Sequence, residues 1–169
     1  MVKHWYCYSQ LWEFLKDIKC HVVLQMDDDF ILSDNFLNTI IDLFFHLKET
    51  DNTMMAIAPH IWSFKKECEL EKWWSRRDFV DGIALIDDVV IRNMEYKMKP
   101  VDAEAVSKPG VPVRAWTQIS KKISEMNCWI YRTDSSLVYH DGNDDSKLHG
   151  DVRNAGRGGV YTQKYIGKL

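Results

Sequence analysis

The sequence predicts an α/β fold in which helices flank a mixed, mostly parallel sheet, in a single domain spanning residues 1–169. Short apolar runs, typical of strands buried on both faces, alternate along the chain with stretches whose apolar residues recur at helical spacing. Three consecutive acids follow one of these strands, at the position where open α/β sheets bind their ligands. No internal repeat or linker divides the chain, so we expect one domain.

The composition restricts the classes of function. Hydrophobic residues at 46% and charged residues at 28% are ordinary for a globular protein. The formal net charge of -3 argues against nucleic-acid binding, which usually requires a basic face. The four cysteines form no CxxC pair, the N-terminus has no signal-peptide pattern, and no apolar run is long enough to cross a bilayer. We therefore expect a cytoplasmic protein without a transmembrane segment or a nucleic-acid partner.

The first elements are predicted from apolar spacing and capping residues. Residues 4–8 predict a short strand, and Ser9 predicts the cap of a helix that continues to Lys19. The apolar strand that begins at Val22 leads into the three acids. Ser33 or Asp34 is expected to cap the next helix. The apolar residues of that helix recur at helical spacing: Phe36, Ile40, Leu43 and Leu47.

Strands and helices continue to alternate over the rest of the chain. In order, the sequence predicts a strand over Met54–Ala58, an irregular Trp-rich stretch from Ile61 to Arg77, a strand over Phe79–Ile86 broken by Gly82, a helix from Asp87 to Met94, a Pro- and Gly-rich loop, a helix around Ala115–Met126, and strands over Trp129–Arg132 and Ser136–His140. The tail from Asp141 is rich in glycine.

The acidic triplet Asp27-Asp28-Asp29 predicts a divalent-metal site. Adjacent carboxylates repel one another unless a cation neutralises them. If the strand geometry continues, Asp27 and Asp29 point to one side and Asp28 to the other. Two oxygen ligands leave room for water and phosphate oxygens, which suits Mg²⁺ or Mn²⁺. The alternative interpretation is a solvated acidic loop or a set of helix caps.

A second polar cluster begins where the last predicted strand ends, at His140. A neutral imidazole in this place can bind a metal, and the alternative is a strand-end histidine bonded to the backbone. Lys147 and Arg153, in the loop that follows, can neutralise a phosphate. Together the two clusters predict a site for a metal and a diphosphate.

With these clusters, the chain resembles glycosyltransferases of the GT-A fold over roughly Val22 to Arg153. Val22–Asp29 looks like their DXD motif, which ends a sheet strand and binds the metal of a nucleotide sugar. Leu137–His140 looks like the late element whose histidine completes the metal shell. A narrower resemblance is to a group that includes virus-encoded glycosyltransferases and bacterial majastridin. It depends on Ile130-Tyr131 leading into Ser136–His140 and a Lys-bearing loop.

The resemblance implies an enzyme, a hexosyl- or deoxyhexosyltransferase that moves a sugar from a UDP- or GDP-linked donor to a carbohydrate or other hydroxyl acceptor. It implies that Asp28 contacts the sugar or ribose of the donor, and that Lys147 and Arg153 close over its phosphates. Trp116 is a candidate for stacking against the acceptor, and the alternative is a role in the core. The implied ligands of the Mn²⁺ or Mg²⁺ ion are Asp27, Asp29 and His140.

The sequence departs from the family pattern in two places. The nucleotide-binding half of these enzymes precedes the DXD strand, whereas 21 residues precede Val22, so we expect an N-terminally shortened GT-A-like domain. Inverting members usually carry an acidic base at the start of the acceptor helix, where this chain has Arg114–Gln118 without a carboxylate. Asp81 is a substitute candidate for the catalytic base. The alternative is that it stabilises a turn beside Gly82.

Two other functions stay open from the sequence. One is a metal-dependent phosphotransferase or hydrolase that uses the same acids, although such an enzyme would need a further nucleophile or a second metal cluster. The other is an inactive or partner-dependent remnant of the GT-A fold that binds metal or nucleotide weakly, which the short N-terminus favours. A homodimer that buries the orphaned edge of the sheet would favour a standalone protein.

Overall fold

The computed structural model describes residues 4–27, 30–59, 74–77, 80, 82–100, 115–133 and 136–140. The helices within these ranges are α1 (His4–Leu15), α2 (Phe36–Thr50), α3 (Asp88–Asn93) and α4 (Ala115–Glu125). The strands are β1 (Val22–Met26), β2 (Phe30–Leu32), β3 (Met54–Ala58), β4 (Trp74–Arg77), β5 (Ile83–Asp87), β6 (Trp129–Thr133) and β7 (Val138–His140). They form a five-stranded sheet in the order β1-β5-β3-β6-β4 and a two-stranded sheet, β2-β7.

Helices around a mixed sheet confirm the α/β prediction, but the described pairings are mostly antiparallel and not mostly parallel. β5 lies between β1 and β3 and runs antiparallel to both, and β4 runs antiparallel to β6. The parallel pair is β3 with β6. The prediction failed because a buried strand has the same apolar sequence in either direction. β1, β3 and β6 nevertheless run in the same direction, so their carboxyl ends lie at the same end of the sheet.

A hydrophobic core covers each face of the larger sheet. α1, α3 and α4 pack on one face, and α2 packs on the other together with the small sheet. The four residues of α2 that the spacing predicted to face inward are all buried, and Phe44 joins them. Among the described helices, none is both long enough and apolar enough to span a membrane.

α1 replaces the strand that the sequence predicted over residues 4–8. The helix begins at His4 and ends at Leu15, well before Lys19. Its inward residues, Tyr8 and Trp12, are one helical turn apart and are buried against the sheet. The Trp12 indole N–H donates to the side-chain oxygen of Gln25 at 2.8 Å. Packing of this aromatic face on β1 therefore outweighs the strand preference of the local sequence.

Other element boundaries match the predictions to different degrees. β3 has the predicted bounds, and Asp87 caps α3 by accepting a hydrogen bond from the Val89 N–H at 3.0 Å. The stretch predicted to be irregular contains β4. At the start of α2 the cap is neither Ser33 nor Asp34. Asn35 occupies that position in the left-handed region at φ 56°, with no side-chain cap bond.

We expect Asp87→Ala to lower the free energy of unfolding by about 2 kcal/mol, because it removes a helix cap and leaves Lys48 without a buried anion. Lys48 lies 2.9 Å from the Asp87 carboxylate and donates to the Met54 carbonyl at 2.7 Å. Asp88→Ala is the matched control. Its pair with the exposed Arg92 should contribute about 0.5 kcal/mol or less. Urea denaturation measures both variants, and equal losses would contradict the role given to Asp87.

Candidate functional site

Asp27 follows the end of β1 and is held through both its backbone and its side chain. Its N–H donates to the Gly82 carbonyl at 2.8 Å, which extends the β1–β5 ladder by one residue pair. Its carboxylate accepts a hydrogen bond from the Tyr8 hydroxyl on α1. Asp27 is half-buried. α1 and β5 together therefore fix the orientation of the Asp27 side chain, at the end of the sheet where β1 finishes.

Tyr8 connects Asp27 to Trp116, another predicted site residue. The Tyr8 ring lies edge-on to the Trp116 indole, with the ring centroids 5.9 Å apart. Trp116 is only 3% exposed, and its indole N–H has no acceptor among the described residues. Its ring thus packs in the core behind Tyr8, and stacking against an acceptor stays a prediction.

The small sheet places the backbone of His140 opposite Phe30, which follows the acidic triplet in the chain. β2 begins at Phe30, the residue that follows Asp29 in the chain, and β7 ends at His140. The two strands are antiparallel, with Phe30 directly opposite His140. Opposed residues of such a pair have Cα atoms about 4.5–5.5 Å apart. The register therefore brings the backbone of His140 next to Phe30, the residue that follows Asp29.

Hydrogen bonds tie the segment before His140 to the end of β3. The Leu137 N–H donates to the Pro59 carbonyl at 2.8 Å, and the Leu137 carbonyl accepts from the Ser33 N–H at 3.0 Å. The Ser136 hydroxyl, which is buried, donates to the Val138 carbonyl at 2.6 Å. β7 is thus anchored on two sides, so the position of His140 along β2 is set by the fold.

Asp81 lies between two residues that the structure anchors. The Val80 N–H donates to the Ser120 hydroxyl of α4 at 3.0 Å, and that hydroxyl donates to the Trp116 carbonyl at 2.9 Å. On the other side, Gly82 bonds Asp27 and has φ 76°, a conformation that favours glycine. The chain is therefore attached to α4 just before Asp81 and to β1 just after it.

The remaining predicted site residues, Asp28, Asp29, Asp81, Lys147 and Arg153, lie outside the described residues, and of His140 the structure describes the backbone. Within the described part, no three His, Cys, Asp or Glu side chains are arranged to hold a metal. Asp27 is the implied ligand whose side chain the structure does describe.

Sequence reasoning missed two residues that position the site. Tyr8 could have been found from the helical spacing of the buried residues Tyr8 and Trp12, had residues 4–8 not been interpreted as a strand. Ser120 could not have been found in this way. Its partner Val80 is 40 residues away in sequence, and a serine within a helix gives no indication of a distant backbone donor.

The comparisons with known proteins give no family for this chain. No protein-family model matches it, and no curated protein matches its sequence. A function can therefore be assigned only from the arrangement of its own residues and from the resemblance of the acidic motif.

Proposed function

We propose that the chain is a metal-dependent glycosyltransferase with a GT-A-like fold, which moves a sugar from a nucleotide-sugar donor to a hydroxyl acceptor. The observation that supports this most is the register of the small sheet, in which Phe30 opposes His140. The histidine backbone is thereby opposite the residue that follows the acidic triplet in the chain, although the two are far apart in sequence. Carboxylate oxygens suit both Mn²⁺ and Mg²⁺, and a neutral imidazole is a common metal ligand that can complete the shell.

In this proposal the ligands of the metal are Asp27, Asp29 and His140. The Tyr8 hydroxyl, which donates to Asp27, would orient that ligand, as hydrogen-bonding partners around metal sites commonly do. When bound, the metal supplies positive charge that neutralises the diphosphate leaving group. Because Tyr8 is buried, with 7% of its surface exposed, it is a rigid neighbour for the Asp27 carboxylate.

The other charged residues would bind the donor and exclude water. Lys147 and Arg153 would contact the same phosphates, lysine as a point charge and arginine as a two-pronged donor. Shutting out water at this stage prevents hydrolysis of the donor. Asp28 would contact the sugar or the ribose of the donor.

For the acceptor side we propose Asp81 as the group that takes the proton of the attacking hydroxyl. The support is its position in the chain between Val80, which bonds α4, and Gly82, which bonds Asp27. Its two neighbours in the chain thus bond α4, the helix that starts at Ala115, and the proposed metal ligand Asp27. That helix has no carboxylate in its first turn, so Asp81 would supply the missing base.

Calorimetric titration of UDP and of GDP, with and without Mn²⁺, tests the proposal. We expect one of the two nucleotides to bind only when Mn²⁺ is present, which also identifies the base of the donor. A folded protein that binds neither nucleotide would contradict the proposal and favour the inactive remnant. Release of inorganic phosphate from a bound nucleotide would favour the phosphotransferase or hydrolase instead.

A further inference from the structure

β1 forms one edge of the five-stranded sheet, and in the described ranges no strand pairs with its outer side. The ladder to β5 runs from His21, whose carbonyl accepts from Asp88 at 3.1 Å, to Asp27, which donates to Gly82 at 2.8 Å. The odd-numbered residues of β1 therefore bond β5. Because bonding alternates along a strand, the N–H and C=O groups of the even-numbered residues point to the outer side. These residues are Val22, Leu24 and Met26.

α1 lies along this edge strand in the opposite direction, because Trp12 bonds Gln25 and Tyr8 bonds Asp27. Ser9 marks the side of the helix that faces the rest of the domain, since its hydroxyl accepts from the Met98 N–H at 2.9 Å. Viewed down the helix axis, Leu11 and Phe14 lie about 140–200° around from Ser9, on the opposite side of the helix. An apolar stripe therefore faces the same side as the outer edge of β1. Its members and their exposed fractions are Leu11 63%, Phe14 74% and, just beyond the helix, Ile18 45%.

We propose that this edge surface, which consists of the outer side of β1 and the stripe of Leu11, Phe14 and Ile18, binds a second copy of the chain. The two β1 strands would pair antiparallel about a two-fold axis at Leu24. Leu24 then opposes Leu24 of the second copy, and Val22 opposes Met26. Leu24 is the midpoint of the segment from His21 to Asp27 that pairs with β5. In this register the outward N–H and C=O groups of Val22, Leu24 and Met26 all find a partner in the second copy.

The same axis brings the two apolar stripes together. A strand advances about 3.4 Å per residue and a helix about 1.5 Å, so one strand residue corresponds to about two helix residues. Because Trp12 is level with Gln25, Phe14 is level with Leu24 and lies at the axis. α1 packs over β1 and β5, so the two copies of α1 would be about two strand spacings apart, within the usual 8–10 Å for packed helices.

Charge favours a second copy over an unrelated strand. In the register centred on Leu24, His21 of one copy opposes Asp27 of the other. Lys19, two residues before His21 in the chain, then brings a positive charge to the side of that carboxylate. Opposite charges on facing positions of an antiparallel pair are stabilising, and like charges are destabilising. The chain thus carries on one edge both halves of a complementary pattern, as a two-fold contact requires.

Sedimentation equilibrium over a wide concentration range tests the proposal, with circular dichroism to confirm folding. We expect the wild type to reach twice the mass of one chain. Phe14→Glu should raise the dimer dissociation constant by roughly a hundredfold, because two glutamates would face each other where two phenyl rings pack. Phe45→Glu is the matched control, because Phe45 is a 45% exposed aromatic residue on α2, outside the edge surface. It should leave the dimer unchanged.

A second variant tests the strand pairing by itself. Leu24→Pro removes an N–H that does not bond β5, so an edge strand can accept it, whereas the dimer loses its central bonds. We expect a folded monomer. Oxidative cross-linking reports the axis directly, since Phe14→Cys should give a covalent dimer and Phe45→Cys should not. The chain has four cysteines of its own, so cross-linking of the wild type under the same conditions gives the background.

Three results would overturn the proposal. One is a wild-type chain that stays monomeric at every concentration. If an extended peptide then bound this monomer, the edge surface would belong to a contact with another protein. Another is a dimer that Phe45→Glu dissociates and Phe14→Glu does not, which would place the contact on α2. The last is a dimer in which Leu24→Pro and Phe14→Glu both leave the dissociation constant unchanged.

Discussion

Replacing Asp29 by alanine is expected to abolish Mn²⁺-dependent nucleotide binding and to leave the fold intact. In the proposed site, Asp29 is a metal ligand next to the Phe30–His140 pair, so its loss removes the charge that holds the ion. Loss of a group that only orients a ligand typically costs 10–100-fold in affinity, so loss of a ligand should weaken binding by about a hundredfold or more. Calorimetric titration with UDP and GDP, in the presence of Mn²⁺, measures this change.

Asp42→Ala provides the matched control for this variant. Asp42 is exposed on α2, so the substitution makes the same change in charge away from the site. We expect it to bind nucleotide as the wild type does. His140→Ala should reproduce the loss seen with Asp29→Ala if the histidine completes the metal shell. Unchanged nucleotide affinity in Asp29→Ala would count strongly against the acidic triplet as the metal site.

The sequence predicted the parts of the fold in which local pattern and burial agree. α2 has one apolar face, so spacing alone identified its inward residues, and β3 is apolar throughout because both of its faces are buried. α1 was misassigned because the aromatic residues at its start favour a strand when they are considered locally. What makes them helical is the contact of Tyr8 and Trp12 with β1, and that contact lies outside the local sequence.

The sequence could propose the residues of the candidate site but not their arrangement. Carboxylates after an apolar strand and a histidine after a later one indicated a metal. The direction of β5 and the register of β2 with β7 left no trace in the pattern, because both depend on pairing between distant segments. The anchors of Asp81 were hidden for the same reason. They are a serine hydroxyl on α4 and a backbone bond to Asp27.

Trp12→Ala is expected to lower the free energy of unfolding by about 3–5 kcal/mol, a large part of the 5–15 kcal/mol typical of a domain. Trp12 is 1% exposed in the core beneath α1, so truncation leaves a cavity. It also removes the donor to the Gln25 side-chain oxygen. Among the described residues, the Gln25 amide nitrogen already has no acceptor, so the buried side chain would lose its remaining bond. Urea denaturation followed by circular dichroism measures the loss.

Gln10→Ala, on the exposed side of the same helix, should change the free energy of unfolding by about 0.5 kcal/mol or less. Trp12→Phe keeps an aromatic ring but loses the N–H donor, so it should lower the free energy of unfolding more than Gln10→Ala and less than Trp12→Ala. A cost of less than about 1 kcal/mol for Trp12→Ala would mean that α1 is not docked on β1 as described. Since α1 also carries Tyr8, a loosened helix would release the Asp27 carboxylate, and Trp12→Ala should weaken metal-dependent nucleotide binding even under conditions in which the sheet stays folded.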